Sequence, residues 1–328
     1  MRYFVTGGTG LIGGYVTRQL VREGHEVTVF DLGPDRDFLA DLLDPDQLAR
    51  VRIVRGDVTD LPLVLRSLRE SGARKVIHLA ALLGKKSEEN PLLSLRVNCE
   101  ANINIFEAAL ACGIERVVWA SSVAVYGSRH KRPEKGALAN DAFHNPGILY
   151  GACKSLTEHF SEHYRRVRKL DCVGLRFSLV YGYGKERTLA RGTGGDFLQE
   201  LIDKPAAGEP GKVPAGEAIL DFLYAEDAAA AVMAACATRG NPSAALNVVG
   251  FRASLHEAAA IVRKIIPDAA VEVEEGSWKG TDHHYDGSIT AAEIGYAPRV
   301  TLEEGLRLNI SELRARARTA GSTRERSG

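Results

Sequence analysis

The chain has 328 residues, of which 45% are hydrophobic and 26% charged, a composition typical of a globular protein with one large or two modest domains. Its 42 lysines and arginines balance its 42 aspartates and glutamates, so charge gives no reason to expect nucleic acid or an anionic membrane as a partner. No apolar run approaches the roughly 20 residues that span a bilayer, which argues against a membrane protein. Five scattered cysteines, none in a Cys-x-x-Cys pair, predict reduced thiols in the cytoplasm rather than disulfides or a metal site.

Strands and helices are predicted to alternate through residues 1–180. Short apolar runs predict strands at Arg2–Val5, Glu26–Phe30, Val51–Arg55, Lys75–Leu79, Arg116–Ala120 and Cys172–Phe177. The segments between them predict helices at Leu11–Glu23, Leu63–Ser71, Leu92–Cys112 and Leu149–Lys169. Apolar strands separated by helices are typical of a parallel sheet covered on both faces, so this part is predicted to be a doubly wound α/β domain.

After Tyr181 the pattern changes to shorter elements and longer loops. Within residues 181–316 it predicts helices near Gly195–Ile202 and at Glu226–Thr238, Leu255–Ile266 and Leu302–Arg314, and strands at Ala218–Tyr224 and Leu246–Val249. Such a pattern indicates a smaller C-terminal α/β lobe that binds substrate, with some segments returning to the large sheet. Residues 317–328 are polar and are predicted to form a flexible tail.

Glycines recur at every third position directly after the first predicted strand, at Gly7, Gly10 and Gly13. Leu11 and Ile12 lie within this segment, at the predicted start of the first helix. A strand, a tight glycine turn and a helix N-terminus together form a pyrophosphate site, because a Cβ atom would keep phosphate away from the backbone. The segment therefore predicts a dinucleotide site.

Two acidic residues follow the next two strands at the same predicted sheet edge. Asp31 lies about 20 positions past the glycine turn, where a carboxylate accepts hydrogen bonds from ribose hydroxyls and repels a 2′-phosphate. It therefore favours NAD over NADP, although Arg36 nearby keeps NADP open, and Asp31 could instead open a turn. Asp57, followed by Val58, could accept a hydrogen bond from the adenine amino group or serve as a helix N-cap or turn residue.

Tyr150 and Lys154 lie four residues apart, one turn of a predicted helix. A nearby ammonium favours the phenolate, so Lys154 is expected to lower the pKa of Tyr150 and make it a usable general acid/base. Ser121 and Ser122 follow the fifth strand at the edge where ligands of such sheets bind, so a serine could hold a substrate hydroxyl or carbonyl against the tyrosine. The alternatives are a chance spacing for the Tyr–Lys pair and a turn cap for the serine.

Four motifs carry a resemblance to a known family: Gly-Gly-Thr-Gly-Leu-Ile-Gly from Gly7, His-Leu-Ala-Ala from His78, Ser-Ser-Val-Ala-Val-Tyr-Gly from Ser121, and Tyr-x-x-x-Lys from Tyr150. In this order they resemble the extended short-chain dehydrogenase/reductases, in particular the epimerase/dehydratase group typified by UDP-galactose 4-epimerase. The resemblance covers about the first 180 residues strongly and the remainder more loosely. It implies a Rossmann fold, a nicotinamide cofactor, and a homodimer that pairs two long helices across a two-fold axis.

The resemblance also implies roles for the residues that match the family's motifs. Ser122 and Tyr150 would be catalytic, and Lys154 would bind the nicotinamide ribose. Asn98 would shape the active site and a proton-relay water, or else only pack its helix. Besides the glycine turn, Asp31, Asp57 and Val58, the cofactor would contact Leu79, Ala80, Ala81, Ala120, Tyr150, Lys154, Phe177 and Ser178. The substrate would contact Leu82, Ser122, Val123 and Leu179.

Several positions depart from the family's pattern and bear on the substrate. Leu179 stands where sugar-nucleotide members have an asparagine that contacts the diphosphate, and Leu220 where they have a phosphate-binding arginine. A nucleotide-diphosphate sugar is therefore disfavoured, unless Arg187 or Arg191 supplies the missing donors. Val123-Ala124 replaces the Asp-Glu pair of the dehydratases, which disfavours dehydration.

Two further groups of residues have open interpretations. Lys85 and Lys86 could meet an anionic substrate or form a solvated charge run. His283 and His284 lack a spaced carboxylate partner, so they are interpreted as loop residues over the substrate pocket rather than as metal ligands.

The leading hypothesis is an NAD-dependent oxidoreductase in which Tyr150 takes a proton from a substrate hydroxyl while hydride passes to the nicotinamide. Its substrate would be a small hydroxylated or carbonyl compound, such as a sugar, a sugar acid or a lactone precursor. One alternative is an epimerase that retains its cofactor and returns the hydride to the opposite face. Another is a non-catalytic, NAD-binding regulatory protein.

Overall fold

The computed structural model describes residues 1–128, 136–189, 196–276, 280 and 282–325. The strands are β1 (Arg2–Thr6), β2 (Glu26–Asp31), β3 (Val51–Arg55), β4 (Lys75–His78), β5 (Arg116–Ser122), β6 (Ala137–Leu138), β7 (Cys172–Phe177), β8 (Leu179–Tyr181), β9 (Gly211–Val213), β10 (Ile219–Tyr224), β11 (Ala245–Val248), β12 (Phe251–Ser254), β13 (Val271–Val273) and β14 (His284–Tyr285).

The helices are α1 (Leu11–Arg22), α2 (Arg36–Leu42), α3 (Pro45–Ala49), α4 (Leu61–Ser71), α5 (Gly84–Glu89), α6 (Pro91–Leu95), α7 (Ala101–Cys112), α8 (Leu149–Arg168), α9 (Lys185–Leu189), α10 (Lys204–Ala206), α11 (Ala225–Ala237), α12 (Leu255–Ile265), α13 (Ser288–Ile294) and α14 (Leu302–Glu325). A π-helical turn, Arg96–Glu100, joins α6 to α7, and another, Gln199–Asp203, precedes α10. A 3₁₀ turn, Val123–Tyr126, follows β5.

Seven parallel strands form the main sheet, in the order β11-β7-β5-β4-β1-β2-β3. The chain winds outward from β1 through β2 to β3, and then crosses to build the other half from β4. This confirms the predicted doubly wound fold. The reversal between β1 and β4 opens a crevice at the carboxyl ends of the strands, where ligands of such folds bind.

Apolar strands give this sheet two buried faces. Along β1, Phe4 and Val5 are both fully buried but point to opposite sides. Val5 packs in a core with Val16 and Leu20 of α1, while Phe4 packs in a second core that includes Phe106 of α7. Helices therefore cover both faces, which leaves the carboxyl edge as the accessible part of the sheet.

The C-terminal part contains a smaller sheet, in the order β12-β10-β8, with its own hydrophobic core. β8 begins two residues after β7 ends, so this sheet is attached at the carboxyl end of the main one. α12 and α14 contribute Leu255 and Leu306 to the core. β11 returns to the main sheet and pairs with β7.

Most predicted elements are found within two residues of their expected ends, and the exceptions lie in the C-terminal half. The last helix runs to Glu325, so its predicted end at Arg314 was wrong. Beyond Arg314 the sequence is polar and has no apolar face, which is why the helix was predicted to end there. Its Arg, Glu and Ala residues nevertheless have a high intrinsic helix propensity. The helix predicted near Gly195–Ile202 begins outside the described residues, and its described part leads into the π-helical turn Gln199–Asp203. Short elements such as α2, α5 and β12 were not predicted, because they are too short for a clear periodic pattern.

Candidate active site

The glycine turn joins β1 to α1 at the carboxyl edge of the sheet. Gly7 has φ +67°, in the left-handed region, and its carbonyl accepts a hydrogen bond from the Gly10 N–H at 3.0 Å. A Cβ atom on Gly13 would lie 2.0 Å from the Gly7 carbonyl oxygen, so only glycine allows this close approach. The first turn of α1 has neither a side-chain cap nor an acidic residue, which leaves its N–H groups for an anionic ligand.

Asp31 lies at the end of β2 and faces this turn. Its Oδ2 accepts hydrogen bonds from the Thr9 hydroxyl at 2.9 Å and from the Thr9 N–H at 3.3 Å. Its Oδ1 accepts one from the Gly33 N–H at 3.2 Å, so the carboxylate also holds the turn that the sequence offered as the alternative. The side chain is half-buried and lines the cavity, whereas Arg36 is exposed on α2.

Asp57 holds a turn after β3. Its Oδ1 accepts hydrogen bonds from the N–H and the hydroxyl of Thr59, both at 2.8 Å. The N-cap of α4 is Asp60, so of the two structural alternatives for Asp57 the turn is present and the helix cap is not. Asp57 and Val58 also line the cavity.

A cavity of about 710 Å³ runs from the glycine turn along the carboxyl ends of the central strands to the C-terminal sheet. It brings together nearly all the predicted site residues: Gly7, Gly10, Leu11, Ile12, Gly13, Asp31, Asp57, Val58, Leu79, Ala80, Ala81, Leu82, Ala120, Ser122, Val123, Tyr150, Phe177, Ser178 and Leu179. Lys154 and Asn98 do not line it, and both are buried behind its wall.

Ser122 and Tyr150 face each other across this cavity. Ser122 ends β5, and its hydroxyl oxygen accepts a hydrogen bond from the Ala124 N–H at 3.1 Å, which caps the 3₁₀ turn. The same hydroxyl is hydrogen-bonded to the phenol of Tyr150, in the first turn of α8. The serine therefore caps the turn, which was one of the two alternatives, and it also faces the tyrosine.

The protonation of Tyr150 differs from the sequence-based expectation. Burial raises the pKa of Tyr150 to about 12, and the hydrogen bond to Ser122 offsets only part of this rise. Lys154 Nζ lies 5.7 Å from the centre of the Tyr150 ring, above its face. Burial also lowers the pKa of Lys154 itself, to about 8. The predicted lowering of the tyrosine pKa by Lys154 is thus absent here, because desolvation of both groups is the larger effect.

Asn98 lies in the π-helical turn before α7 and holds the loop that follows β4. Its Nδ2 donates to the Leu82 carbonyl at 2.8 Å, and its Oδ1 accepts from the Leu82 N–H at 3.0 Å. Its own carbonyl accepts a hydrogen bond from Thr157 Oγ1 on α8 at 2.9 Å. The side-chain amide of Asn98 therefore faces the backbone of Leu82 rather than the cavity. Asn98 contributes to the cavity by holding Leu82 in place.

Glu88 is a site residue that the sequence analysis missed. Its Oε1 accepts hydrogen bonds from the N–H groups of Leu149 at 2.8 Å and Tyr150 at 3.4 Å, so it caps α8 from α5. The residue at the N-cap of α8 is Ile148, which has no side-chain acceptor. That missing cap was the available signal, but nothing local shows that a residue 61 positions away supplies it.

Replacing Glu88 with alanine should weaken the start of α8 and loosen Tyr150. We expect a loss of stability of about 0.5–2 kcal/mol, as for other N-caps, and a decrease in kcat of up to about 10²-fold, as for a displacement of about 1 Å at a reacting group. Thermal unfolding and steady-state kinetics measure the two effects. Glu89→Ala is the matched control, because Glu89 only pairs with Lys85 on the surface at 3.5 Å. Equal kinetics for the two variants would refute the role of Glu88.

A buried ion pair supports the site from behind. Arg176 on β7 donates from Nε to Glu158 Oε1 at 2.9 Å and from a terminal nitrogen to Glu158 Oε2 at 2.6 Å. Ser121 donates to the same carboxylate, and Arg176 also donates to the Tyr126 hydroxyl at 2.6 Å. Glu158 lies one turn beyond Lys154 on α8, so this pair fixes the helix against β5 and β7.

The positions that depart from the family's pattern lie at the far end of the cavity. Leu179 of β8 and Leu220 of β10 both line it. Arg187 does not supply a replacement donor, because it is paired with Asp35 at 3.1 Å and Asp41 at 2.7 Å. Arg191 lies outside the described residues.

Of the remaining polar candidates, the structure shows which line the cavity and which do not. Lys86 is exposed and lines the cavity, whereas Lys85 does not line it. His283 lies outside any helix or strand, as predicted, whereas His284 lies in β14, which pairs with β6. Neither histidine lines the cavity, but the neighbouring Tyr285 does. Within the described residues, no group of three or more His, Cys, Asp or Glu side chains could hold a metal ion.

The arrangement of strand, glycine turn, acidic residue and Ser–Tyr pair agrees with a comparison of the whole sequence. The model of the NAD dependent epimerase/dehydratase family matches residues 3–249. The chain belongs to this family. It is therefore an NAD-dependent enzyme of the extended short-chain dehydrogenase/reductase type, which confirms the resemblance drawn from the motifs.

Relatives of this family member include both epimerases and dehydrogenases. A putative UDP-glucose 4-epimerase of Methanocaldococcus jannaschii is 27% identical over 96% of this chain and 99% of its own. D-erythronate dehydrogenase of Cupriavidus necator is 30% identical over 71% of this chain and 71% of its own. A Sinorhizobium fredii protein is 29% identical over 72% of this chain, but the match spans only 53% of that relative's length.

Solved structures show the same fold. UDP-glucose 4-epimerase of Thermus thermophilus in complex with NAD is 28% identical, with a TM-score of 0.78 over 96% of this chain and 99% of that one.

For the described part of the present chain, no helix is long and apolar enough to cross a membrane.

Proposed function

We propose that the protein is a dehydrogenase that oxidises a hydroxyl of a small substrate to a carbonyl, or catalyses the reverse reduction. The observation that carries this proposal is the pair of facing hydroxyls, Ser122 and Tyr150, in the same cavity as the glycine turn. Ser122 holds the substrate oxygen, and Tyr150 removes its proton. When bound, NAD supplies the hydride acceptor and a positively charged ring that favours the tyrosinate.

The turn at Gly7 to Gly13 fits a dinucleotide, because its backbone fills the space that side chains would need and its helix has free N–H groups. We propose that Asp31 binds the ribose hydroxyls and that Lys154, which lies behind the cavity wall over the ring of Tyr150, supports the nicotinamide ribose. A carboxylate at Asp31 repels a 2′-phosphate, which favours NAD over NADP. Residues 1–180 would then bind the cofactor and residues 181–316 mainly the substrate.

We propose that the substrate carries no nucleotide diphosphate. Leu179 and Leu220 line the substrate end of the cavity, and neither side chain can donate a hydrogen bond to a phosphate. Arg187, which the sequence analysis offered as a replacement donor, is engaged by two aspartates. One relative is named D-erythronate dehydrogenase, and D-erythronate is a small acid without a nucleotide.

Epimerisation with a retained cofactor is the second candidate function. It is favoured by the match of nearly the whole chain to UDP-glucose 4-epimerase of Thermus thermophilus. A non-catalytic NAD-binding protein is disfavoured, since the Ser122, Tyr150 and Lys154 set is intact.

Two measurements on the purified full chain separate the candidates. Mass spectrometry of the small molecules released on denaturation shows whether a nicotinamide cofactor is retained. Absorbance of NADH is then followed with secondary alcohols, polyols, sugar acids and UDP-glucose. Net NADH formation supports the dehydrogenase. Retained NAD with conversion of UDP-glucose to its 4-epimer, and without net NADH, supports the epimerase and refutes the dehydrogenase. A lower Kd for NADP than for NAD would contradict the role of Asp31.

We also propose that the enzyme is a cytoplasmic homodimer. α8 exposes the large apolar side chains Leu156, Phe160 and Val167, which are 43%, 37% and 50% accessible, and such a face is favourable to bury against a second copy. All five cysteines are free thiols, as expected in a reducing compartment. Light scattering of the full chain and of Phe160→Lys tests the dimer, and an unchanged mass in the variant would refute this interface.

A further inference from the structure

Polar side chains line the cavity wall in addition to Ser122 and Tyr150. They are Lys86, Ser178, Lys185, Asp221 and Tyr285. Asp221 carries a carboxylate into this wall although the residue is only 5% accessible. Burying a carboxylate is unfavourable unless hydrogen-bond donors replace its water, so the partners of Asp221 indicate what it can bind.

Strand register places Asp221 on the same edge as the reacting groups. Ser122, at the end of β5, pairs with Phe177, at the end of β7. The next residue, Ser178, lies opposite Asp221, one position before the paired residues of β8 and β10. Neighbouring strands are roughly 5 Å apart, so the Cα atoms of Ser122 and Asp221 are separated by roughly 10 Å, or two strand spacings. A substrate whose reacting oxygen lies at Ser122 can therefore extend to Asp221.

The carboxylate of Asp221 is fixed in place and keeps acceptor capacity for a ligand. Its Oδ1 accepts a hydrogen bond from the Gly250 N–H at 2.7 Å. Burial raises the pKa of Asp221, and the Ser178 hydroxyl and the Gly250 N–H offset part of this rise. Arg252, opposite Asp221 on β12, is exposed and forms no ion pair with it. Since a carboxylate has about four acceptor positions, donors from a ligand in the cavity can bind the remaining ones.

The neighbours of Asp221 favour a hydroxyl as that ligand group. Leu179 and Val180 on β8 and Leu220 on β10 also line the cavity. A phosphate would be repelled by the carboxylate and would find no donor on these three side chains. An ammonium carries three donors, and these aliphatic side chains satisfy none of them. A hydroxyl carries one donor, which the carboxylate satisfies alone.

We propose that Asp221 binds a second hydroxyl of the substrate, on a carbon other than the reacting one, and thereby selects unphosphorylated, polyhydroxylated compounds. This proposal rests on the dehydrogenase function proposed above. Ser122 and Tyr150 act on the reacting hydroxyl. Asp221 takes no part in the transfer of hydride or proton and determines which alcohols bind.

The first test measures kcat/KM for NAD-dependent oxidation of 2-butanol, 1,3-butanediol, 1,2,4-butanetriol and erythritol. These compounds share a four-carbon chain with a secondary alcohol and differ in the number of hydroxyls. We expect kcat/KM for erythritol to exceed that for 2-butanol by at least about tenfold, as for one hydrogen bond to a charged group. Equal values, or a higher value for 2-butanol, would overturn the proposal.

A related pair of substrates tests the chemistry of the second group. 4-Amino-2-butanol has an ammonium where 1,3-butanediol has its primary hydroxyl, so the two differ only in the donor offered to Asp221. We expect a higher kcat/KM for 1,3-butanediol. A higher value for 4-amino-2-butanol would overturn the assignment of a hydroxyl to this position.

A binding measurement separates this proposal from the proposed reaction. Calorimetry of the protein–NAD complex with erythrulose and with 2-butanone compares two four-carbon ketones that cannot be reduced by NAD. The Kd for erythrulose should be lower by at least about tenfold. If this difference holds but no alcohol is oxidised, the hydroxyl site is supported and the dehydrogenase function fails. If alcohols are oxidised but the two ketones bind equally, or erythrulose does not bind, the dehydrogenase stands and the hydroxyl site is refuted.

A variant connects the selectivity to Asp221. In Asp221→Asn the amide oxygen can still accept from Gly250, but an NH₂ group replaces the second acceptor. The ratio of kcat/KM for erythritol to that for 2-butanol should fall by about tenfold or more, and this ratio cancels any general loss of activity. Asp227→Asn is the matched control. Asp227 is 4% accessible, accepts hydrogen bonds from the N–H groups of Arg299 and Val300 at 2.9 Å, and does not line the cavity. An unchanged ratio in Asp221→Asn, or an equal fall in Asp227→Asn, would overturn the assignment of Asp221.

Discussion

Replacing Tyr150 with phenylalanine should lower kcat by about 10²–10⁴-fold, the usual contribution of a general acid/base. The substitution removes only the phenol hydroxyl, which lies next to Ser122 in the cavity, so the glycine turn and Asp31 stay in place. We therefore expect the Kd for NAD to stay within about twofold, since the phenol is not needed to hold a dinucleotide at the glycine turn. Steady-state kinetics with the best alcohol of the panel, and calorimetry with NAD, measure the two quantities.

The pH dependence of the rate adds a second readout. Burial raises the pKa of Tyr150 to about 12 in the protein alone, and oxidation of an alcohol requires the deprotonated phenol. The wild-type rate of oxidation should therefore rise with pH, and Tyr150→Phe should lose that rise. Tyr164→Phe is the matched control on the same helix, because Tyr164 bonds to Glu107 and does not line the cavity. A Tyr150→Phe variant with normal kcat would refute the assigned role.

Replacing Gly13 with alanine should abolish measurable NAD binding or weaken it by at least about 10²-fold. The new methyl group would lie 2.0 Å from the Gly7 carbonyl oxygen and 2.7 Å from Gly8 Cα, which are backbone atoms that cannot rotate away. The turn must shift, and the N–H groups at the start of α1 shift with it. The same overlap should destabilise the fold by about 1–3 kcal/mol. Calorimetry with NAD and thermal unfolding measure both effects.

Gly240→Ala is the control for this substitution. A Cβ atom at Gly240 would meet nothing within 4 Å, and the residue does not line the cavity. We expect its NAD affinity and unfolding temperature to match those of the wild type. If Gly13→Ala bound NAD as well as Gly240→Ala, the turn could not be the pyrophosphate site.

Much of the cofactor part of the cavity could be predicted because its signals are local. The spacing of Gly7, Gly10 and Gly13 follows from one turn of backbone, and Asp31 directly ends a strand. The signals for Ser122 and Tyr150 are also local. Ser122 ends a strand, and Tyr150 lies in the first turn of a helix at the same sheet edge. Once alternating strands and helices predict a parallel sheet, its topology brings these residues together.

Contacts between distant segments could not be predicted in this way. Glu88 caps the helix of Tyr150 across 61 positions, and Asn98 holds Leu82 through its side-chain amide. Both residues are polar groups in ordinary sequence surroundings, and their partners are backbone atoms. Because every residue has such atoms, the sequence alone does not indicate which of them will be the partner.

The sequence by itself therefore determined the doubly wound fold, the dinucleotide turn, and the absence of phosphate donors at Leu179 and Leu220. Only the tertiary structure decided the protonation of Tyr150, since its pKa depends on how completely folding removes water from the phenol and from Lys154. It also decided which residues line the cavity, because Leu179 and Leu220 of the C-terminal sheet meet residues of the main sheet there only in the folded chain. Local patterns record backbone preferences, whereas desolvation and cavity shape depend on the packing of the whole chain.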